Sequence, residues 1–598
     1  MKIYSKNHSV RIRLITNPGL QAGDAVRENG LQAGVTIHRG GLQAGDKVRR
    51  SLPNSGGSDL LLLLLLLLPL SLSGQTAGRL SGNFQVNAQV YRPDSLIGAP
   101  KVDEKLLSDS YANLRYDLGN FSAGLRYEGY LNTLQGLDPK FDGVGVPYLF
   151  ADYQSEDLGF TVGSFYEQFG SGLLLRAWED KDLGVDNSLN GIRVRSTPVS
   201  GIRITGLVGK QRHFFGLGPG LVRAVDGEVS LNELVKSWNE KATRLTLGVS
   251  FVSKYQKDED PIYKFPENVG GWAPRLQMNW GGLSLGAEYA RKINDPSADN
   301  NFIYKPGEAM LLNASYSASG IGVNVTAKRV DNMGYRSDRT ENLNKLMINY
   351  LPAISKNQIY SLMNVYPYSS QPNGEMGFQG EISYQVRRGS KIGGKYGTQI
   401  GLNFSAANSI VRNAVHDTIP IGTSGTLGYS SPFFKIGKDI YFRDLNLEIS
   451  KKFSKQFKVI LIGQHLAYNQ LVMEGKGGMV TANVAVADLT WKPTDEQAVR
   501  IELQGLWTKQ DKGNWAMAMA EYSVSPHWFF AVTDQWNYGN PETYKRIHYL
   551  SGSIAYVRNA NRIQVSCGKQ REGILCVGGV CRNVPAMNGL TVIITSSF

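Results

Sequence analysis

Cysteine, histidine and long apolar runs are scarce in this chain of 598 residues, and their scarcity argues against several classes of protein. The three cysteines have no second pair and no histidine cluster beside them, which argues against a metal site. No Gly-x-Ser-x-Gly elbow and no phosphate-binding glycine loop occurs, so we expect neither an enzyme nor a bound cofactor. Outside the N-terminal region there is no run of about 18 apolar residues, which argues against a helical membrane protein.

The charge and the uniform composition argue against two further classes. Residues 1–78 carry nine Lys and Arg and four Asp and Glu, so +8 of the net charge of +13 belongs to the remaining chain. Such a surplus gives no argument for nucleic acid as a partner, since proteins that bind it concentrate basic residues on one face. After residue 80 no linker, Pro-rich hinge or shift of composition divides the chain, as a soluble protein of several domains would require.

The N-terminal region predicts an exported protein. A leucine run at residues 60–68 follows basic residues at 47–50 and precedes small residues at 71–73. These features are typical of a secretory signal peptide, which we predict over residues 49–73. Upstream, Gly-Leu-Gln-Ala-Gly recurs every eleven residues, but polar repeats cannot stack into a solenoid. We therefore predict that residues 1–48 are upstream sequence joined to the protein by a misassigned start.

Alternation of apolar and polar residues recurs from residue 80 to the end of the chain. Val499–Thr508, Thr243–Ser250 and Leu283–Ala290 each place apolar side chains on one face of a strand and mostly polar ones on the other. The 67 glycines and 29 tyrosines, with a mean hydropathy of −0.24, suit such strands better than buried helices. Many strands of about ten residues with this alternation are typical of a transmembrane β-barrel over residues 78–598.

The connections between the strands favour the same fold. Tight turns are predicted at Leu118–Asn120, Asp157–Gly159, Pro198–Gly201, Trp280–Gly282, Ala318–Gly320, Lys492–Glu496 and Arg558–Asn561. Longer stretches lie between most of them, at Arg92–Ser108, Leu131–Val146, Tyr255–Gly270, Ser409–Gly437 and Arg571–Asn588. Short turns on one side and long loops on the other indicate an all-β, antiparallel barrel of about 26 strands, or an even number from about 24 to 28. The count includes two weakly marked strands, near Gly220–Ser230 and Lys356–Val365.

The C-terminal strand fits the closing strand of such a barrel. Leu590, Val592, Ile594 and Phe598 share one face, and mostly polar residues share the other. A terminal Phe on a strand of this kind resembles the signal read by the outer-membrane assembly machinery. The edge strand of a soluble sandwich would look the same in isolation.

Two further sites are predicted from spacing. If Gly578-Gly579 is a two-residue hairpin turn, Cys576 faces Cys581 within disulfide reach, and Cys567 is left free. The other site is an acidic loop at Glu179–Asn187, whose spacing does not match a calcium-binding loop, and which we interpret as solvated and external.

Basic residues alternate with apolar ones on several strands and are predicted to face the lumen, since placing them in lipid would cost about 2–4 kcal/mol each near the midplane. These residues are Arg193, Arg195, Arg203, Arg244, Arg115 and Arg126. They either form a basic stripe that attracts anionic solutes or pair with lumen carboxylates that brace the wall, and both alternatives stay open.

Three blocks of sequence resemble an uncharacterised family of Bacteroidota outer-membrane proteins, classified only as a domain of unknown function. They are Phe169–Gly172 with Asp182–Leu189, Tyr366–Tyr368 with Gln371–Glu375, and Arg571–Cys581. The resemblance runs from about residue 78 to residue 598. It implies a location and an architecture, and no catalytic or binding residues.

The chain is thus expected to be an outer-membrane β-barrel of a Gram-negative bacterium. Its lumen must be water-filled or plugged, and a plug would come from loops such as Gln211–Thr243 or Ser409–Gly437. We expect a channel for hydrophilic solutes, or alternatively a scaffold in a secretion or surface-assembly complex. The expected partners are outer-membrane lipid and lipopolysaccharide, the barrel-assembly machinery, and proteins at the extracellular loops.

Overall fold

The computed structural model describes residues 78–577 and 580–598. The predicted upstream sequence (1–48), the predicted signal peptide (49–73) and the turn at Gly578-Gly579 lie outside the described residues. From Leu80 to Phe598 the described chain forms one compact unit.

The described chain is built almost entirely of strands. In chain order they are β1 (Arg79–Tyr91), β2 (Leu106–Leu118), β3 (Phe121–Leu131), β4 (Gly143–Gln154), β5 (Leu158–Phe165), β6 (Glu179–Asp180), β7 (Val185–Asp186), β8 (Leu189–Val199), β9 (Ile202–His213), β10 (Gly216–Ser230), β11 (Thr243–Tyr255), β12 (Asn268–Trp280), β13 (Leu283–Lys292), β14 (Gly307–Ala318), β15 (Ile321–Asp331), β16 (Glu375–Val386), β17 (Thr398–Ile410), β18 (Asn413–Ala414), β19 (Tyr429–Ser430), β20 (Ile436–Lys452), β21 (Phe457–Asn469), β22 (Met479–Trp491), β23 (Gln497–Thr508), β24 (Trp515–Val524), β25 (Trp528–Trp536), β26 (His548–Arg558), β27 (Asn561–Gln570), β28 (Gly573–Val577), β29 (Val580–Val584) and β30 (Met587–Ser597).

Helices in the described residues are short and lie in connections. The α-helices are Leu231–Leu234, Lys236–Asn239 and Gln470–Glu474, and the 3-10 helices are Pro139–Phe141, Ala298–Asn300, Leu362–Asn364 and Thr543–Lys545. In the part of the chain that the structure describes, no helix has the length and apolar character needed to cross a membrane.

Twenty-four of the strands form one closed sheet. Each wall strand pairs with the next along the chain, and β30 returns to pair antiparallel with β1, from Asn83 opposite Ser597 to Tyr91 opposite Gly589. Gly82 and Phe598 exchange backbone hydrogen bonds of 2.9 and 3.0 Å at the seam. Closure leaves no unpaired edge, which is what a sheet surrounded by lipid requires. The remaining six strands pair as β6–β7, β18–β19 and β28–β29 in the connections.

The predicted barrel is confirmed, and its 24 strands fall at the lower end of the expected range. One of the two weakly marked strands exists as β10. The other does not, because Lys356–Val365 lies in the connection between β15 and β16 and contains a 3-10 turn instead.

Alternation along each strand separates an outer face from an inner one. In β23, Ile501, Leu503 and Trp507 are 44%, 49% and 46% exposed, whereas Glu502 and Gln504 are buried. Side chains of a strand point alternately to its two faces, so the apolar set covers the outside of the barrel and the polar set points inward.

The two ends of the barrel differ. Both ends of the described chain lie at the end where connections are tight, for example two residues each between β2 and β3, β12 and β13, and β26 and β27. We call this the turn end, and all seven predicted tight turns lie there. The opposite, loop end carries the long connections, including the five predicted from sequence.

Tryptophans mark both rims of the outer face. Trp280, Trp491 and Trp528 are exposed at the turn end of their strands. Trp272, Trp507 and Trp536 are exposed at the loop end of their strands. Between the rims the exposed residues are mainly aliphatic, as in β11, where Leu247 and Val249 face outward.

Candidate functional site

The chain's own connections occupy the inside of the barrel, and one of them crosses it. We call residues 332–374, which join β15 to β16, the crossing segment. Its first part shares a buried apolar core with wall residues of β9 to β15, through Met333, Tyr335, Ile348 and Leu351. Its second part shares another core with wall residues of β17 and β20 to β24, through Tyr360, Leu362, Met363, Val365, Tyr366 and Tyr368. One connection therefore contacts two separate stretches of the wall.

Buried hydrogen bonds fix the first part of the crossing segment. The Tyr335 hydroxyl donates to the carbonyl oxygen of Val269 in β12 at 2.6 Å. The Asn349 amide donates to the carbonyl oxygens of Leu173 and Met333 at 3.2 and 2.8 Å. Each buried donor would cost about 1–3 kcal/mol if its acceptor were removed, so these contacts define one position for the segment.

Polar wall residues hold the second part. The Tyr360 hydroxyl donates to Asp488 Oδ2 of β22 at 3.0 Å, and the Leu362 backbone N–H donates to Gln504 Oε1 of β23 at 2.8 Å. Lys328 of β15 forms an ion pair with Glu375, and neither side chain is exposed to solvent. The inward-facing polar residues of these strands thus bind the crossing segment rather than open water.

A second connection, residues 166–188 between β5 and β8, also enters the barrel. Its Ser171 backbone N–H donates to Glu288 Oε2 of β13 at 2.7 Å. Gly170 has φ +53°, and a Cβ there would lie 2.5 Å from Glu288 Oε2, so the close approach requires glycine. Asn187 Nδ2 donates to the carbonyl oxygen of Met347 at 2.7 Å, which joins this connection to the crossing segment.

The β28–β29 hairpin is the third inward element. A disulfide joins Cys576 to Cys581, whose Cα atoms lie 4.1 Å apart, and Cys567 is free and exposed on β27. The Asn344 amide of the crossing segment donates to the carbonyl oxygen of Cys581 at 3.1 Å. Just before the hairpin, Arg571 donates to Gln535 Oε1 at 3.0 Å, and burial lowers the pKa of its guanidinium to about 10. The three blocks that carry the family resemblance thus meet through the inward connections.

Arg126 is the most completely paired of the predicted lumen arginines. Its guanidinium forms ion pairs with Glu128 at 2.6 Å, with Glu179 at 2.8 Å, and with Asp186. Arg212, which the sequence reasoning missed, lies 2.6 Å from both Glu128 and Asp186. All but Glu179 are largely buried, so this network braces the wall against the β5–β8 connection.

The other predicted arginines are distributed along the barrel. Arg193 donates to Thr161 Oγ1 at 2.8 Å, and Arg195 lies 2.6 Å from Glu167. Arg115 contacts Asp117 at 2.8 Å and is half-exposed. Arg203 and Arg244 lie towards the turn end on neighbouring parts of the wall, where the side chain of Arg244 is exposed.

The interpretation of the acidic loop as solvated and external was wrong. Glu179 and Asp186 bind Arg126 inside the barrel, and the Asn187 side chain accepts a hydrogen bond from the Trp178 backbone N–H at 2.6 Å. The loop is acidic because it faces wall arginines. Among residues 78–577 and 580–598, no cluster of three or more His, Cys, Asp and Glu is arranged to hold a metal ion.

Two cavities lie on either side of the β5–β8 connection. The loop-end cavity has a volume of about 700 Å³ and is lined by parts of both inward connections, the β28–β29 hairpin and the β3–β4 connection. The turn-end cavity has a volume of about 340 Å³ and contains Arg195, Arg203 and Arg275. Glu167–Gly170 lines the second cavity and Leu183–Asn187 lines the first.

Asp295, in the β13–β14 connection, binds two buried lysines beside Tyr335. Its carboxylate lies 2.7 Å from Lys254 Nζ and 3.0 Å from Lys292 Nζ. Burial raises the pKa of a carboxyl group, but the two ammonium groups outweigh burial and hold the pKa of Asp295 below its ordinary value.

We expect acid to weaken this contact. A depressed pKa contributes stability above the ordinary Asp pKa of about 3.9, and that stability is lost as the pH falls through the lower pKa of the folded state. The unfolding temperature of the wild-type protein in detergent, followed by tryptophan fluorescence, should therefore fall more steeply below about pH 4 than that of Asp295→Asn. Parallel pH profiles for the two proteins would contradict this expectation.

Comparison with protein-family models identifies the family of this chain. A model of a family of unknown function, DUF6029, matches residues 58–598. The chain belongs to this family. The predicted resemblance to an uncharacterised family is thereby confirmed, and the match leaves out the N-terminal repeats. No curated protein matches this DUF6029 chain.

The solved structures similar to the DUF6029 chain have low sequence identity to it. A mutant of the ferric enterobactin receptor PfeA from Pseudomonas aeruginosa is 11% identical over 88% of this chain and 81% of that one, with a TM-score of 0.41. The siderophore receptor PirA from Pseudomonas aeruginosa is 10% identical over 88% and 82%, with a TM-score of 0.39. The translocation pore of the P pilus usher PapC is 8% identical over 87% and 98%, with a TM-score of 0.40.

Proposed function

We propose that this protein spans the outer membrane of a Gram-negative bacterium, with the turn end in the periplasm and the loop end outside. Its outer face supports this location, because an exposed aliphatic band lies between two rims of tryptophan. Aromatic girdles on both sides of an apolar band are the feature that distinguishes lipid-facing barrels. Short turns on one side and long loops on the other support the orientation.

Within that membrane, we propose that the barrel is a gated channel that is closed at rest. The observation that carries this proposal is the crossing segment, which contacts two stretches of the wall through two buried cores. The β5–β8 connection contributes to a cavity on each side of it. A hydrophilic solute that enters from the loop end therefore meets a cavity first and can pass only when these connections move.

A scaffold without transport is the second candidate. It is favoured by the number of buried contacts that hold the crossing segment, including those of Lys328 with the carbonyl oxygen of Pro352 and with Ser370 Oγ, and the bonds to Asp488 and Gln504. Moving the segment would break these contacts, so an open state of the barrel would lie far above the closed state in free energy. The two functions differ in whether any condition opens the lumen.

Conductance in planar bilayers tests the closed state. We expect the purified protein to insert without producing the steady open current of a porin, because the crossing segment packs against two stretches of the wall inside the barrel. Heat-dependent migration on gels serves as the control for a folded barrel. A steady open-pore current from the unmodified, folded protein would contradict the proposal, whereas transient openings of a closed barrel would favour the channel over the scaffold.

A further inference from the structure

Two neighbouring turns at the turn end carry a concentration of positive charge. They are the β16–β17 turn, residues 387–397, and the β20–β21 turn with the adjoining strand ends, residues 451–458. Neither contains an Asp or a Glu. We call their cations the basic patch: Arg387, Arg388, Lys391, Lys395, Lys451, Lys452, Lys455 and Lys458.

The two turns are neighbours in the wall and touch each other. Lys451 of β20 lies opposite Thr398 of β17, directly after the first turn. The Lys451 ammonium donates to the carbonyl oxygen of Ile392 at 3.0 Å, and Lys452 lies 5.6 Å from the centre of the Tyr396 ring. The eight cations therefore form one surface rather than two separate groups.

This surface has no internal counter-charge. None of the eight cations forms an ion pair within the part of the chain that the structure describes, and six of them are exposed: Arg387, Arg388, Lys391, Lys395, Lys452 and Lys455. Two other turns at this end carry acidic residues, Glu156 and Asp157 in one, and Asp495 and Glu496 beside Lys492 in the other. Like charges held close together repel, so anions from outside would stabilise a patch of this kind.

Apolar side chains lie exposed among the cations. Ile392 is 66% exposed and Phe453 is 56% exposed, and Tyr384 is exposed on β16 next to the first turn. Lys451 lies 5.4 Å from the centre of the Phe453 ring. Cations beside exposed apolar and aromatic residues, at the rim of a lipid-facing wall, are suited to the boundary between phosphate headgroups and acyl chains.

We propose that the basic patch binds the phosphate headgroups of anionic phospholipid in the leaflet at the turn end. The proposal rests on the membrane location proposed above. Ile392 and Phe453 enter the leaflet while the surrounding Lys and Arg neutralise lipid phosphates. Anionic lipid is thereby concentrated beside β16–β21 and not around the whole barrel.

A leaflet accounts for the patch better than an acidic soluble protein does. Ile392, Phe453 and Tyr384 are exposed beside the proposed lipid-facing wall. A soluble partner that buried Ile392 and Phe453 would therefore have to fit against the rim of that wall. Lipid headgroups satisfy the cations and the apolar residues together, because one molecule supplies both the phosphate and the acyl chains. The interaction is electrostatic, so it weakens as salt concentration rises.

The test compares two variants of the full chain with equal changes of charge. One variant carries Arg387→Gln, Arg388→Gln, Lys391→Gln and Lys395→Gln. The control removes four exposed lysines at the loop end by Lys101→Gln, Lys105→Gln, Lys435→Gln and Lys438→Gln. Each protein is reconstituted in nanodiscs of phosphatidylcholine with a minor share of phosphatidylglycerol, and the lipids retained after detergent extraction are counted by native mass spectrometry.

We expect the wild type and the control to retain phosphatidylglycerol selectively, and the patch variant to retain at least about tenfold less of it. Equal retention by the patch variant and the control would overturn the proposal. If none of the proteins enters nanodiscs as a heat-modifiable barrel, the membrane location fails. If all enter but none enriches the anionic lipid, only the basic-patch proposal fails.

Discussion

Replacing residues 333–373 with Gly-Ser-Gly is expected to convert the closed barrel into a conducting pore. The wall should survive the change, because β15 and β16 are already paired neighbours with Val330 opposite Glu375, and a tight turn can join them. Removing the crossing segment takes away the residues that it contributes to both buried cores. A ring of 24 strands is wider than the porins, whose lumen conducts water and ions. We expect the conductance in planar bilayers to rise by at least about tenfold.

A deletion in another loop-end connection provides the control. Residues 416–424 form an exposed part of the β17–β20 connection, and replacing them with Gly-Ser-Gly shortens a loop without touching either core. This variant should stay as closed as the wild type. The account would be wrong if the crossing-segment variant folded, inserted and still carried no current.

Lys328→Met is expected to destabilise the folded barrel by about 3–5 kcal/mol, because it leaves Glu375 as a buried, unpaired charge. Both side chains of the Lys328–Glu375 pair are fully buried. Lys328 also donates to the carbonyl oxygen of Pro352 and to Ser370 Oγ, so the substitution removes a link between the wall and the crossing segment. The free energy of unfolding in urea, measured by tryptophan fluorescence in detergent, reports the loss.

The double variant Lys328→Met with Glu375→Gln separates the cost of an unpaired buried charge from the cost of the lost lysine side chain. Glu375 also accepts hydrogen bonds from the Tyr368 hydroxyl and from the Gln371 backbone N–H, and Gln can still accept one through its amide oxygen. The double variant should therefore be more stable than Lys328→Met alone. If the single variant lost less than about 1 kcal/mol, neither the Lys328–Glu375 pair nor the contacts of Lys328 with the crossing segment would stabilise the fold as expected.

The wall could be predicted from the sequence because its information is local. A strand with lipid on one side must alternate, and Val499–Thr508 does so without reference to any distant residue. The tight turns and the closing strand are local signals of the same kind. The predicted count of about 26 was too high in part because Tyr360 and Leu362 look like a strand segment, since an apolar residue buried inside the barrel has the same chemistry as one facing lipid.

The interior could not be predicted because its partners are distant in sequence. Alternation indicated that Arg126 faces inward, but nothing local identifies Glu179 and Asp186, roughly 55 to 60 residues later, as its partners. The structure brings inward two connections that the sequence did not single out, residues 166–188 and 332–374. Of the two connections named as a possible plug, Gln211–Thr243 supplies β10 to the wall, and Ser409–Gly437 carries the β18–β19 hairpin. The second also reaches the crossing segment, because the buried Tyr429 hydroxyl donates to the carbonyl oxygen of Asn373 at 2.8 Å. Length and polarity of a loop do not say whether it folds inward.

The most direct test of the account is an accessibility scan along β23. Cys567 is first replaced by Ser, and single cysteines at positions 499 to 507 carry a spin label in the protein embedded in lipid. We predict a period of two: Ile501 and Leu503 positions collide with oxygen dissolved in the bilayer, whereas Glu502 and Gln504 positions are reached neither by oxygen nor by a water-soluble nickel complex. Equal access of the nickel complex to every position would contradict both a lipid-facing wall and a filled interior.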